Sequence, residues 1–295
     1  ALIAFGKPEK KSDDFIVQVC PRMFGIEIPG NLETTEWMDG KDWKWTEIED
    51  YIPAMTDTSK WETVRSRTDS LKFYIDGITE QCNDSYRSAL ADLVQETGHE
   101  VCVEVGGFRM NDGIKKYGDQ AGEQAALFEQ KKLEPWLKTP GARLDYLTTD
   151  HAMMWFIREM TPEQIELLVQ EHLDYIEAMQ KWRPGLKVGF IESLGYFWFK
   201  GKNGKQYKQT DIGYPRFDFE EFMTGLMNEA KKRGIKIDHF DIDYGFWGAT
   251  LDTLGFDNCM EWREAEQIDY GRFLETERIC RKLGLKIGVT FNDTL

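Results

Sequence analysis

The chain has 295 residues, 37 of them basic and 52 acidic, for a formal charge of −15. That balance lacks the basic footprint a nucleic-acid binder needs to displace counterions from phosphates, and it opposes docking on an anionic membrane surface. Hydrophobic residues at 41% and charged residues at 30% suit a folded globular chain rather than a disordered one.

In chain order, FIVQVC (Phe15–Cys20) reads as the first strand and LKFYIDG (Leu71–Gly77) as the second. Ser85–Val94 has helical spacing, and Gly98 then introduces the third strand, HEVCVEVGG. Ala125–Leu137 is amphipathic, and Gly141 introduces ARLDYLTTD. Thr161-Pro162-Glu163-Gln164 is a capping box with Pro at the first helical position, followed by Ile165, Leu168, Val169, Ile176 and Met179 on one stripe. Gly185 introduces LKVGFIES. Asp218 with Glu221 opens a further capped helix carrying Phe222, Leu226 and Ala230, and Gly234 introduces IKIDHFDIDYG. Asp269 caps a last helix with Phe273, Ile279 and Leu283 inward, and Gly284 introduces LKIGVTFND. The five glycines recur at intervals of 43, 44, 49 and 50 residues. Each stands just past a helix end, where the backbone turns to positive φ.

Seven strands alternating with helices imply parallel pairing through right-handed crossovers. The doubly wound alternative carries a Gly-rich phosphate turn after its first strand, and none occurs here. The expectation is an α/β chain forming one (β/α)₈ TIM-type barrel catalytic domain over residues 1–295. An eighth strand is not evident; ALIAFG at the start is a candidate, and otherwise the barrel is incomplete at one end. A plain βα unit takes roughly 30 residues, so the longer intervals leave long loops after the strands, on the face where barrel enzymes keep their sites.

The strands end in acids or their amide: Asp76, Glu104, Asp150 with His151, Glu192, Asp241 with Asp243, and Asn292 with Asp293. The opposite ends hold Lys72, Arg143, Lys187, Lys236 and Lys286, so the charge is segregated. A rim of this kind either gathers a site or simply places charges in solvent.

On the strand Ile235–Asp243, alternation puts Ile235, Ile237, His239, Asp241 and Asp243 on one face and Asp238, Phe240 and Ile242 on the other. A stacked His-Asp-Asp column on a buried strand costs free energy unless its groups are paired or in use. Asp238-His-Phe-Asp241-Ile-Asp243-Tyr-Gly245 resembles the Asp-x-x-Asp-x-Asp-x-Glu strand of chitinase-like glycoside hydrolases, with Gly245 at the position of that family's acid. The resemblance covers eight residues, and it implies the broader class of TIM-barrel enzymes that act on sugars.

A hydrolase of that class needs two carboxylates. Glu192, flanked by Phe190 and Ile191, is expected to act as general acid, its pKa raised by desolvation. Asp243 is expected as nucleophile or base, and Asp241 as the neighbour that tunes it. Aromatics follow the acids: Trp155 after His151, Tyr196 and Trp198 after Glu192, Tyr244 and Trp247 after Asp243. They offer flat faces to sugar rings, or they build small cores within the loops. Together with Glu104, Asp150, His151 and Asn292 they form the expected substrate-binding set. Trp37, Trp43, Trp45 and Trp61 lie in an early loop that either extends the cleft or packs.

No GxSxG elbow and no P-loop occur, and only four histidines are present. The five cysteines form no CxxC, and Cys102 in its apolar run reads as a buried thiol. No apolar run is long enough to span a membrane. The chain begins Ala1-Leu2-Ile3 without Met, as a processed or trimmed product would, and a secreted or periplasmic setting is favoured. The expected partner is therefore a carbohydrate substrate, with no nucleic acid, membrane, cofactor or metal. Two alternatives stay open. One is a sugar isomerase or lyase in which Glu104, Asp150, Glu192, His239 and Asp241 ring Mg²⁺ or Mn²⁺. The other is a non-catalytic carbohydrate-binding barrel, which Gly245 favours.

Overall fold

The helix-to-strand joins are built as the glycines predict. A computed structural model of the chain describes residues 16, 18–19, 66–80, 82–108, 118–150, 161–192, 199–200, 206–207, 218–245 and 274–292. Its elements are β1 (Gln18–Val19), β2 (Ser70–Tyr74), α1 (Ile75–Thr79), α2 (Asp84–Thr97), β3 (Glu100–Val105), α3 (Ala121–Leu137), β4 (Tyr146–Asp150), α4 (Pro162–Trp182), β5 (Lys187–Glu192), β6 (Phe199–Lys200), β7 (Gln206–Tyr207), α5 (Phe219–Arg233), β8 (Ile237–Gly245), α6 (274–283) and β9 (Lys286–Asn292). Gly98 (φ 69°) and Gly234 (φ 73°) close α2 and α5 in the left-handed conformation that a Cβ would oppose.

Helix starts follow the side chains that satisfy free amides. Thr161 Oγ1 accepts from the Gln164 amide at 3.3 Å, while Gln164 Oε1 accepts from the Thr161 amide at 2.8 Å. Asp218 accepts from the Glu221 amide at 2.9 Å. In the last helix Ile279 is buried and Leu283 half-buried, while Asp269 and Phe273 lie outside the described residues. So does the ALIAFG segment.

Two elements differ from expectation. The second strand stops at Tyr74, and Ile75–Thr79 is a short helix. The Arg87 guanidinium donates to the carbonyls of Ile78, Thr79 and Cys82, which a strand would have satisfied otherwise. Asp76 therefore belongs to a helix rather than a strand end, and it pairs with Lys132. After β5, the short strands β6 and β7 form an antiparallel pair that the sequence reading did not anticipate.

The chain divides into two compact units. In the smaller one (Val17–Val105 and Phe128–Leu147), β1, β2 and β3 pair in parallel. Leu71 and Phe73 of β2 are fully buried, and Phe73 meets the Trp136 ring of α3 at 5.8 Å. Lys72, on the other face of the strand, is also buried. Its ammonium lies 2.8 Å from the Glu104 carboxylate of β3. Lys72 is therefore not part of a solvent-facing basic rim.

In the larger unit (Ala1–Ile16, Gly106–Leu127 and Thr148–Leu295), β5, β8 and β9 pair in parallel. Phe240 of β8 packs edge-on against Phe219 of α5 at 5.3 Å. Phe190 of β5 lies 5.8 Å from the His172 ring of α4. Arg233 of α5 pairs with Asp174 and Glu177 of α4, and Arg278 of α6 pairs with Glu220 of α5. Gly122 of α3 crosses α4 so closely that a Cβ there would stand 2.8 Å from the Glu171 carbonyl carbon. The Ile16 amide donates to the Ile287 carbonyl of β9 at 2.9 Å. Among the described residues no helix is long and apolar enough to cross a membrane.

Candidate functional site

Two members of the polar column expected on β8, His239 and Asp241, are described within the larger unit. Phe240 takes the helix-facing side, so His239 and Asp241 take the other, and both are almost fully buried. His239 Nε2 lies 2.8 Å from the Thr148 hydroxyl of β4, which fixes the plane of the imidazole. Room for the ring comes from the next strand: a Cβ at Gly189 would lie 2.5 Å from the His239 ring carbons. The Thr149 hydroxyl donates to the Gly189 carbonyl at 3.3 Å and ties the same strand to β4. On the other side, a Cβ at Gly288 of β9 would lie 2.9 Å from the Asp241 carboxyl carbon. Two glycines, one on each flanking strand, thus make the space that the column occupies.

Thr148, Gly189 and Gly288 join the site although none stands at a strand end. A signal was present. Lys187-Val-Gly189 and Lys286-Ile-Gly288 repeat one pattern, and a glycine inside a strand marks close approach by a neighbour.

Register separates two of the expected catalytic groups. Ile191 stands opposite Asp241, and Glu192 stands opposite Ile242. Directly paired residues share a face, so Glu192 leaves β5 on the side of Phe190 and Ile242, and Asp241 on the side of His239. Glu192 is fully buried and is the last residue of β5. The Asp243 backbone stands opposite Thr290 of β9, Tyr244 opposite Phe291, and Asn292 opposite Gly245; the side chains of these three expected site residues lie outside the described set.

The remaining expected residues are more scattered. Asp150 is half-buried at the end of β4. Glu104 lies in the smaller unit, where Lys72 engages its carboxylate. His151, Trp155, Tyr196, Trp198 and Trp247 lie outside the described residues, as do Trp37, Trp43, Trp45 and Trp61. Among the described residues, no three His, Cys, Asp or Glu side chains gather as a metal site.

A second buried histidine lies outside this column. His172 of α4 has no exposed surface, and neither ring nitrogen has a hydrogen-bond partner among the described residues. The rings of Phe108 and Phe190 flank it at 5.7 and 5.8 Å. Burial pushes its pKa down to about 3, so the ring is neutral.

No protein-family model matches the chain, and no curated protein matches its sequence. Among solved structures, several resemble the chain in part. A psychrophilic family 10 endo-β-1,4-xylanase is 10% identical over 81% of this chain and 84% of its own, with a TM-score of 0.41. A family 1 β-glucosidase from Thermotoga maritima is 12% identical over 81% of this chain and 66% of its own, with a TM-score of 0.39. AsfvAP:AG is 12% identical over 94% of this chain and 72% of its own, with a TM-score of 0.40. Likeness at this level assigns no reaction.

Proposed function

We propose that the protein is a glycoside hydrolase, a single (β/α)₈-type barrel over residues 1–295 that cleaves an oligo- or polysaccharide with carboxylates at the C-terminal ends of its strands. The observation that carries this reading is the burial of Glu192 and Asp241 at 0% and 1% exposure on the paired strands β5 and β8. Buried acids cost several kcal/mol unless their surroundings use or satisfy them. For Asp241 the surroundings are the neighbouring His239 imidazole and the recess beside Gly288, while Glu192 leaves β5 on the other side.

In this reading Asp243 serves as nucleophile or base, and Asp241 tunes it from two positions along the same face. Glu192 serves as general acid. It is the last residue of β5 and register directs it away from Asp241, so this role requires its side chain to turn over the strand end. Asp150, His151, Trp155, Tyr196, Trp198, Tyr244, Trp247 and Asn292 would contact the sugar, with Glu104 acting only where Lys72 releases it.

The test is hydrolysis of a panel of aryl glycosides and soluble polysaccharides by the wild type and by Glu192→Gln, Asp241→Asn and Asp243→Asn. Turnover that falls at least ~100-fold in Asp243→Asn, with sugar binding retained and no loss on adding a chelator, supports the reading. Chelator-sensitive turnover, or binding of sugars without turnover by the wild type, overturns it.

A further inference from the structure

A concave surface lies within the larger unit, between α4 and α5. It encloses about 300 Å³ and is lined by Ile165, Glu166, Val169 and Gln170 of α4, and by Asp218, Glu221, Phe222, Gly225, Leu226 and Glu229 of α5 and its cap. The floor is apolar, with Leu226 fully buried and Phe222 nearly so. Four carboxylates rim it, and no cation is among the lining residues. Glu229 is neutralised by Lys232 at 2.8 Å, but Glu166, Asp218 and Glu221 have no ion-pair partner among the described residues.

Gly225 adds an independent observation. It is exposed in the interior of α5, where glycine is a poor helix former, and a Cβ there would meet nothing within 4 Å. Packing among the described residues therefore does not require it. A helical glycine without an internal reason leaves room for a backbone arriving from outside.

We propose that this groove docks a basic amphipathic helix of a partner protein. One apolar side chain of that helix seats over Gly225, and its lysines or arginines face Glu166, Asp218 and Glu221. The occupant follows from charge. An anionic lipid surface or a nucleic acid would be repelled, and a second copy of this chain would bring another −15 against the same rim. A helix laid along two helices with its apolar stripe inward is an established mode of peptide recognition.

The test uses a fluorescein-labelled synthetic helix of leucine and lysine, patterned so that leucine forms one stripe, and its counterpart with glutamate in place of lysine. Anisotropy is read with the full chain at physiological salt. The lysine helix binds the wild type, and the glutamate helix does not. Binding weakens roughly tenfold or more in Gly225→Leu and in the pair Glu166→Gln/Glu221→Gln. It is unchanged in Asp92→Asn/Glu96→Gln, which removes the same charge from exposed positions on α2. Should Gly225→Leu fail to fold, the glutamine pair still decides. Equal affinity across these variants, or equal weakening in the α2 control, overturns the proposal. So does concentration-dependent self-association that Gly225→Leu abolishes.

Discussion

The carboxylate of Asp241 lies against the bare backbone of Gly288, so closely that a single added methyl would overlap it. At Gly189 the matching methyl would meet the His239 ring and also the His239 main-chain carbonyl. The two glycines therefore differ in what must give way. Asp241 can swing a side chain aside, whereas β8 must shift its backbone. Gly189→Ala is expected to lose about 1–3 kcal/mol of stability by overpacking, and Gly288→Ala less. Gly288→Ala is expected to lower turnover while keeping most of its stability. Urea denaturation of both variants, beside the glycosidase assay, checks the contrast.

The Lys72–Glu104 pair is expected to be costly to break and inexpensive to replace. Lys72→Met or Glu104→Gln breaks a buried ion pair and should cost about 3–5 kcal/mol. The double variant Lys72→Met/Glu104→Leu should cost less than either single change. A double-mutant cycle by chemical denaturation measures this, and a double variant as unstable as the sum of the singles would contradict it.

His172 makes stability depend on pH in one direction. Its folded pKa is about 3 against an ordinary 6.5, so the unfolded chain binds the extra proton first. The contribution is intact above 6.5 and is lost as pH falls toward 3, at about 1.4 kcal/mol per pH unit. His172→Phe should flatten the acid limb of the stability profile by that slope. Parallel profiles for the two proteins would show that the ring does not stay neutral.

Glu220 acts lower on the scale. Hydrogen bonds from Arg278 and Lys282 hold its carboxyl down to about 2, against an ordinary 4.5. A depressed carboxyl contributes above its unfolded pKa, so this contribution is complete above 4.5 and disappears as pH falls through about 2. The pair groups are partly exposed, so Glu220→Gln should cost only about 1 kcal/mol at neutral pH. The difference from wild type should vanish below the folded pKa, as thermal melts across that range will register.

How far the sequence reveals the fold depends on how local each cause is. The Thr161 capping box, the Asp218 cap and the glycine joins act within a few residues, and all appear where the sequence puts them. The α1 helix does not follow this rule, because Arg87 of α2 supplies the donors that its carbonyls need. Alternation along β8 correctly separates His239 and Asp241 from Phe240. It cannot say what stands opposite them. That is set by the register shift between Val188 and Gly189, which places Ile191, not Glu192, beside Asp241. The recess for the column was hidden for the same reason, since Gly189 and Gly288 matter only through residues on another strand.

The bond between Ile16 and Ile287 spans nearly the whole sequence. During synthesis the first of these residues leaves the ribosome long before the second exists. Until β9 has been made, Ile16 lacks this partner. A contact between residues so far apart in sequence forms slowly and prolongs the time in which a nascent chain can stick to others, so a chaperone serves this protein while β9 is still unmade.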